Sequence, residues 1–520
     1  MTALPESIPR LLNLSNEILL AVFTLCRSTE RKHQNDTISS LRLTCKRFCL
    51  LCSDYAVRRC GTLDFSRPES VVLFRQVLDN RRIAEGVREV NVRLHFYHPW
   101  IAASLDNFTA AVLSEWGQRT QIFDAIDTNS GGHITFESLM QRFVNEAYMH
   151  NDESVESSAP HNTASPTDFA ESVLQHAYGK YKERYDSQVR SHGDGAFALV
   201  MARILTRLPN IRHVMIHDGV LTNNYDLGRK FDPVGEQDTS AQAGILVEVL
   251  SRPMLWEEAR WIQPNESIWP GVPTRLLVDI PLALGAVDSL LIDQLSIHVS
   301  AAPDYTTMQL SSDERDKLSD AIKRVDLLQF SFQPRCRSGC GPWIRNEEDN
   351  DTVRTATEME VINEYLGAIF NAGCISYADI NLGEFWYSLG LKSILAAPTS
   401  VGIKFTWPPG TNLRSIHLTE ISVTTTELGT LAAALDVGSE ISLFLVHIRV
   451  GFWRDALQTL RDGLRDPQSV SIRHPLGGEV QDLTQDQIES VFGSRHTEEG
   501  TKAECYVMGR LVENPLNEAG

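Results

Sequence analysis

The side chains of this 520-residue chain that are best spaced for chemistry lie within residues 123–139, FDAIDTNSGGHITFESL. Asp127 and Asn129 stand two positions apart, the backbone carbonyl of His133 follows a pair of glycines, and Glu137 lies near the end of the stretch. Calcium takes about six to eight oxygen ligands from carboxylates, amides and carbonyls of this kind. These four residues are therefore the candidate metal ligands.

The stretch is similar to the calcium loop of an EF-hand, with Asp127 at its first position and Gly132 at its tight-turn position. Two positions lack the expected oxygen donor. Gly131 stands at the fifth position, and Ser138 stands where a bidentate carboxylate closes the site, one residue after Glu137. We therefore predict no resident metal and no cofactor. A structural loop and a calcium-responsive regulatory protein are the two alternatives for this segment.

Other motifs carry less chemistry. Cys336 and Cys340 have no second ligand pair at zinc spacing, which favours a plain loop. His213 and His217 flank VMI without a carboxylate motif and are predicted to be buried or edge histidines. The sequence contains no phosphate loop, dinucleotide fingerprint or Gly-x-Ser-x-Gly elbow, so we predict that the chain is not an enzyme. An enzyme with scattered catalytic residues is the alternative.

The composition is that of a globular protein, with 42% hydrophobic and 22% charged residues. The length exceeds the roughly 250 to 300 residues at which one core stops growing, so we expect two or three modules. The net charge of −19, without a basic stripe, argues against a nucleic-acid partner. No signal peptide or bilayer-length apolar run occurs. We expect no membrane association, reduced thiols, and a location in cytoplasm or nucleus.

A short apolar-x-x-apolar-x-apolar unit recurs along the chain and predicts strands. The matches are VREVNV at 87, IRHVMI at 211, VDSLLI at 287, VDLLQF at 325, LRSIHL at 413 and ISLFLV at 441. Helical patterns TTELGTLAAALD and WRDALQTLRDGL follow the last two, and QSVSIR adds a weak strand. This alternation is typical of an irregular leucine-rich-repeat solenoid with insertions. An ordinary α/β domain with buried parallel strands is the alternative.

Three short helices are predicted near the N-terminus, within residues 14–60. Ile18, Leu19, Val22 and Phe23 follow helical spacing, and Thr37 can cap a second helix after a polar loop. Helices of this size cannot bury all their apolar faces against one another. One face must therefore contact another surface.

These residues resemble an F-box, the module that binds the Skp-type linker subunit of cullin-RING ubiquitin ligases. The first half of the motif is LSNEIL, and the second half, LRLTCKRF, is the more specific. The matching residues are Leu14, Glu17, Ile18, Leu19, Val22, Phe23, Leu41, Leu43, Cys45, Lys46 and Phe48. Ser15 replaces the usual proline and can cap the first helix instead. The alternative is that these helices only cap the solenoid.

The resemblance implies an α/β protein with a three-helix F-box and a leucine-rich-repeat-like domain that recognises substrate. The expected partners are the Skp-type linker, through it a cullin-RING ligase, and an unidentified protein substrate. A scaffold with an F-box-like module but no ligase role is a further alternative. The predicted segments are 10–62, the F-box; 63–105, a first repeat; 106–150, the EF-hand-like insertion; 151–168, a disordered linker; 169–492, the recognition domain; and 493–520, a tail.

Overall fold

A computed structural model describes residues 15–19, 47, 60–123, 133–134, 136–152, 166–192, 195–219, 234–235, 238–261, 271–300, 302–332, 356–370, 372, 374–383, 413–493 and 500–517. They form a mixed α/β structure built on a parallel sheet of nine strands with helices between the strands. The α/β class predicted from the sequence is confirmed. The predicted linker at 151–168 lies largely outside the described residues.

The strands of the described residues are β1 (Cys60–Asp64), β2 (Glu89–Arg93), β3 (His133–Ile134), β4 (His213–His217), β5 (Val234–Gly235), β6 (Gln294–Val299), β7 (Leu327–Phe332), β8 (Tyr377–Asn381), β9 (Leu413–Thr419), β10 (Ser422–Thr424), β11 (Leu435–Phe444), β12 (His447–Val450), β13 (Ser469–Arg473) and β14 (Leu476–Gly477). The large sheet has the order β1-β2-β4-β6-β7-β8-β9-β11-β13, which is also their order in the chain. All its pairings are parallel.

The helices are α1 (Glu69–Asp79), α2 (Arg81–Gly86), α3 (Pro99–Ala103), α4 (Leu105–Phe123), α5 (Phe136–Asp152), α6 (Pro166–His192), α7 (Ala196–Leu205), α8 (Thr239–Leu250), α9 (Leu276–Gly285), α10 (Ser312–Ile322), α11 (Ala356–Phe370), α12 (Thr425–Ala434), α13 (Trp453–Gly463), α14 (Gln485–Phe492) and α15 (Lys502–Val507). Helices α10, α12, α14 and α15 begin with capping boxes, in which a Ser or Thr and a Glu or Gln satisfy two backbone N–H groups. Among the described helices, none combines the length and apolarity needed to cross a membrane.

One face of the large sheet is apolar and forms the core. Alternate residues of each strand point to this face, because strand side chains have a period of two. The buried set is Val90, Val92, Val214, Ile216, Leu295, Ile297, Leu328, Phe330, Ala378, Ile380, Ile416, Leu418, Ile441, Leu443, Val470 and Ile472. Helices α7, α9, α10 and α11 pack against one another in chain order, and α12, α13 and α15 do the same. This order fits crossovers of one hand, which place helices on one side of a sheet.

The last three strands of the sheet share a regular connection. After β9, β11 and β13 the chain turns at a residue with positive φ, namely Glu420 (54°), Leu445 (53°) and His474 (51°). It then enters β10, β12 or β14, which pair in parallel as a second, three-stranded sheet. Helices α12, α13 and α14 follow these short strands. The same strand, corner, strand and helix sequence thus occurs three times.

A helical insertion, α3 to α6, separates β2 from β4 in the chain. Its long helix α6 is tied to the residues that follow β2. Tyr97 N–H donates to Gln188 Oε1 at 2.9 Å, and His98 N–H donates to Tyr181 Oη at 2.7 Å. The insertion is therefore fixed next to the carboxyl end of β2.

The strand predicted at 287–292 is wrong, because β6 begins at Gln294. Residues 287–290 form a turn closed by a 3.2 Å bond from Leu290 N–H to the Val287 carbonyl. Leu290 and Ile292 are buried from this irregular segment, whereas Leu291 is 50% exposed. Apolar spacing does not distinguish a buried turn from a strand. Strand β1, CGTLD, was not predicted because Gly61 occupies a core position of the unit. Strand β8, YADIN, was not predicted either, although Ile375, Ala378 and Ile380 have the apolar spacing of the unit.

The segment predicted as a tail packs on the end of the sheet. Helix α15 buries Ala503, Tyr506 and Val507, although the sequence there has little apolar periodicity. Glu504 Oε1 accepts the backbone N–H of Ile472, in strand β13, at 3.0 Å. A side chain thus satisfies a backbone donor on the last strand.

Candidate functional site

Polar residues occupy the sheet face opposite the core, which we call the polar face. Strand pairing aligns them in three rows across nine strands. The first row is Cys60, Glu89, His213, Gln294, Leu327, Tyr377, Ser415, Glu440 and Ser469; the second is Thr62, Asn91, Met215, Ser296, Gln329, Asp379, His417, Ser442 and Ser471; the third is Asp64, Arg93, His217, His298, Ser331, Asn381, Thr419, Phe444 and Arg473. Neighbouring strands lie about 4.8 Å apart, so the rows form an extended grid of hydrogen-bonding groups.

A hydrogen-bonded chain crosses the polar face from β4 to β7. Ser296 Oγ donates to Gln329 Oε1 at 2.8 Å, and His213 Nε2 lies 2.9 Å from Ser296 Oγ. Because the serine proton is committed to Gln329, His213 Nε2 carries the proton that bonds Ser296. His213 Nδ1 lies 3.6 Å from Glu89 Oε2 on β2. These hydrogen bonds fix the orientation of side chains on adjacent strands.

Asp64 and His95 form a pair at the carboxyl end of the first strands. Asp64 Oδ1 lies 2.8 Å from His95 Nε2 and accepts the N–H and hydroxyl of Ser66 at 3.0 and 2.8 Å. Burial opposes ionisation of Asp64, but His95, Ser66 and the nearby Arg67 together hold the pKa of this carboxyl below its usual value. Asp64 is therefore an anion already supplied with donors.

Two histidines of the third row stay neutral. Burial, followed by the positive charge of Arg93, lowers the pKa of His217 to about 3. Burial also lowers the pKa of His298, and a hydrogen bond with Gln329 offsets only part of this shift. His217 Nδ1 accepts the Gly219 N–H at 3.1 Å, so the neutral ring carries its proton on Nε2. His217 thus offers a donor without a charge.

Near β8 and β9 the polar face carries aromatic rings and carboxylates instead of the serine and glutamine found on β6 and β7. The rings of Tyr377 and His417 lie 5.4 Å apart, and Asp379 stands beside His417 in the second row. Burial raises the pKa of Asp379, with His417 acting in the opposite direction. Ser415 Oγ donates to Glu440 at 3.5 Å on the neighbouring strand. This part combines aromatic rings with carboxylates.

The arrangement is suited to binding. Burial raises the pKa of the Cys60 thiol to about 12, so this thiol is protonated at neutral pH and is a weak nucleophile. No group of three His, Cys, Asp or Glu side chains in the described part of the chain could hold a metal ion. What the face provides is aligned donors, acceptors and charges on a rigid sheet.

The described part of the N-terminal motif is a short helix capped by a serine. Ser15 Oγ accepts the Ile18 N–H at 3.4 Å, which confirms that Ser15 can cap in place of proline. Glu17 is exposed, and its hydrogen bond with Ser15 lowers the pKa of its carboxyl. Ile18 is 50% exposed, whereas Leu19 is fully buried.

Arg47 joins the two halves of the motif. Its Nε and Nη2 donate to Asn16 Oδ1 at 3.1 and 2.8 Å. The remaining predicted contact residues lie outside the described residues. They are Leu14, Val22, Phe23, Leu41, Leu43, Cys45, Lys46 and Phe48.

The candidate calcium ligands are only partly described. Asp127 and Asn129 lie outside the described residues, His133 lies in β3, and Glu137 lies in α5. The flanking helices α4 and α5 pack against each other, as predicted for a helix-loop-helix. Strand β3 pairs antiparallel with β5. These findings leave calcium binding a prediction.

Arg93, His298 and Ser331 belong to the polar face but were not predicted as site residues from the sequence. The signal in the sequence is the alternation VNVR, VMIH, LSIH and LQFS, each closing on a polar residue at the end of β2 and β4 or one residue before the end of β6 and β7. Among these, His217 was predicted to be a buried or edge histidine, and its 2% exposure confirms burial.

No protein-family model matches the chain, and no curated protein matches it.

Proposed function

We propose that this chain is the substrate-recognition adaptor of a cullin-RING ubiquitin ligase, as its F-box-like motif implies. The observation that carries the proposal is the polar face. Nine parallel strands in chain order align three rows of mostly half-buried side chains, which fits recognition of an extended protein surface. The partner for this face is the unidentified protein substrate.

The N-terminal helix supplies the other half of the proposal. Ile18 is half-exposed and Leu19 is buried, so we assign Ile18 to the linker subunit and Leu19 to packing within the chain. The bonds between Arg47 and Asn16 support a motif whose two halves lie together.

In this role the chain breaks no bond itself. The N-terminal motif holds the linker subunit and the polar face holds a target protein, so the target's lysines meet the ubiquitin-loading machinery at raised effective concentration.

The test is co-purification of the linker and cullin subunits with the tagged full chain, quantified by mass spectrometry. Ile18→Asp places a charge in the proposed interface and should reduce linker recovery by about tenfold or more. Val512→Asp is the matched control, because Val512 is 84% exposed and lies far along the chain. Absence of the linker from the unmodified chain, or full recovery with Ile18→Asp, would reject the proposal.

A further inference from the structure

The carboxyl edge of the large sheet gathers the polar groups of the third row at one margin of the polar face. Arg93, His217, His298 and Ser331 occupy consecutive third-row positions on β2, β4, β6 and β7. Ligands of parallel α/β sheets bind outside the carboxyl ends of the strands. The position is therefore one where a small-molecule site is expected on topological grounds.

Three of these side chains have buried atoms without a hydrogen-bond partner in the described part of the chain. They are Arg93 Nε, His298 Nδ1 and Ser331 Oγ. Ser331 is only 5% exposed. Buried polar groups are normally satisfied, so three unsatisfied ones in a single row point to a missing partner.

The charge of this edge favours an anion. Within the described residues, Arg93 and Arg67 form no ion pair, while the carboxylate of Asp64 is engaged by His95 and Ser66. His217 and His298 are neutral and add hydrogen-bonding capacity without opposing charge. The carboxylate of Asp218, which follows His217, likewise accepts hydrogen bonds from Trp256 and Ser300, so the guanidinium of Arg93 is the charged group left for an added anion.

We propose that this edge binds a small polar molecule through a phosphate or carboxylate group. Arg93 and the Nε2–H of His217 hold the oxyanion, because charge-assisted bonds to an arginine are the strongest available here. His298 and Ser331 lie one and two strands further, about 5 and 10 Å beyond His217, and bond the neutral hydroxyl or amide groups of the same molecule. This site does not depend on the adaptor function.

Isothermal titration calorimetry of the full chain tests the site with inorganic phosphate, succinate and glycerol 3-phosphate. Phosphate and succinate distinguish the two oxyanions, and glycerol 3-phosphate, which adds hydroxyls, should bind tighter than phosphate. Arg93→Gln should weaken binding by about tenfold or more. Arg473→Gln is the matched control, since Arg473 is the exposed arginine at the far end of the same row, and it should leave affinity unchanged.

Ser331→Ala separates binding from folding. It removes a buried hydroxyl without a partner, so the thermal midpoint should stay the same or rise. Affinity for glycerol 3-phosphate should nevertheless fall about three- to tenfold, while that for inorganic phosphate should not. If Arg93→Gln does not fold, Arg93→Lys and Ser331→Ala still decide the matter. Absence of binding by all three probes, or equal loss with Arg473→Gln, overturns the proposal.

Discussion

The first strands of the large sheet and the last three differ in how the chain returns from one strand to the next. Between β2 and β4 the chain passes through α3 to α7, with bonds such as Tyr97 to Gln188 that join distant residues. From β9 onward, each return uses one left-handed corner, one short strand and one helix. A destabilising substitution in units that contact mainly their neighbours should lower stability locally, whereas long-range contacts should extend the loss of stability to distant residues.

Two tryptophans allow the sharpest test of this difference. Trp256 and Trp453 are both fully buried, and each indole N–H donates to a backbone carbonyl, of Leu94 at 2.8 Å and of Leu476 at 2.9 Å. Each change to Ala should cost about 3 to 5 kcal/mol of unfolding free energy, measured by urea denaturation.

Hydrogen exchange then separates the two regions. Trp453→Ala should lose protection mainly within residues 413–517, and Trp256→Ala should lose it across strands β1 to β6. Phe452→Ala is the control, because Phe452 is 56% exposed and its loss should cost little. Equal loss of protection throughout the sheet in both variants would remove the distinction between the regions.

Acid should weaken the first region more than the last. His217 has a folded pKa of about 3, below its unfolded value near 6.5, so the unfolded chain binds more protons. Its contribution is complete above pH 6.5 and is lost as the pH falls. With about 1.4 kcal/mol per pKa unit, titration of His217 alone should lower the unfolding free energy by about 3 kcal/mol between pH 7 and pH 4.

Urea denaturation across this pH range measures the effect. His217→Gln should flatten the slope, because glutamine keeps a polar side chain but does not titrate. His447→Gln is the counterpart in the last region, where burial also lowers the pKa of the histidine. A slope that is unchanged by His217→Gln would show that other groups govern acid unfolding.

The smallest expected loss of stability concerns strand β13, at the end of residues 413–517, which we call the regular region because the strand, corner, strand and helix sequence repeats there. Glu504→Ala removes the acceptor of the Ile472 N–H and one partner of the α15 capping box. We expect a loss of about 2 kcal/mol in urea denaturation, with exchange of the β13 amides accelerated most. Glu513→Ala, at an exposed position nearby, should be neutral. Equal stability of the two variants would show that Glu504 does not hold the last strand.

The sequence predicts much of the regular region and little of the site. LRSIHL and ISLFLV match the repeat unit, so the pattern locates β9 and the second half of β11, whereas the start of β11 at Leu435 lies within the segment predicted as a helix. The turn at 287–290 and strand β1 do not follow from the pattern, because burial in irregular backbone and interruption by Gly61 erase the period. Arg93, His298 and Ser331 come from segments far apart in the chain. Only strand register places them in one row, and no local pattern encodes register.

The bond from Ile472 to Glu504 also bears on how such a protein can change in size. A carboxylate occupies a position where a tenth strand would donate or accept, so growth by duplication at that end would first have to displace α15. Lengthening by insertion between existing units meets no such obstacle. We therefore expect related sequences of different length to differ by insertions between strand–helix units and to keep the hydrogen bond between Glu504 and Ile472.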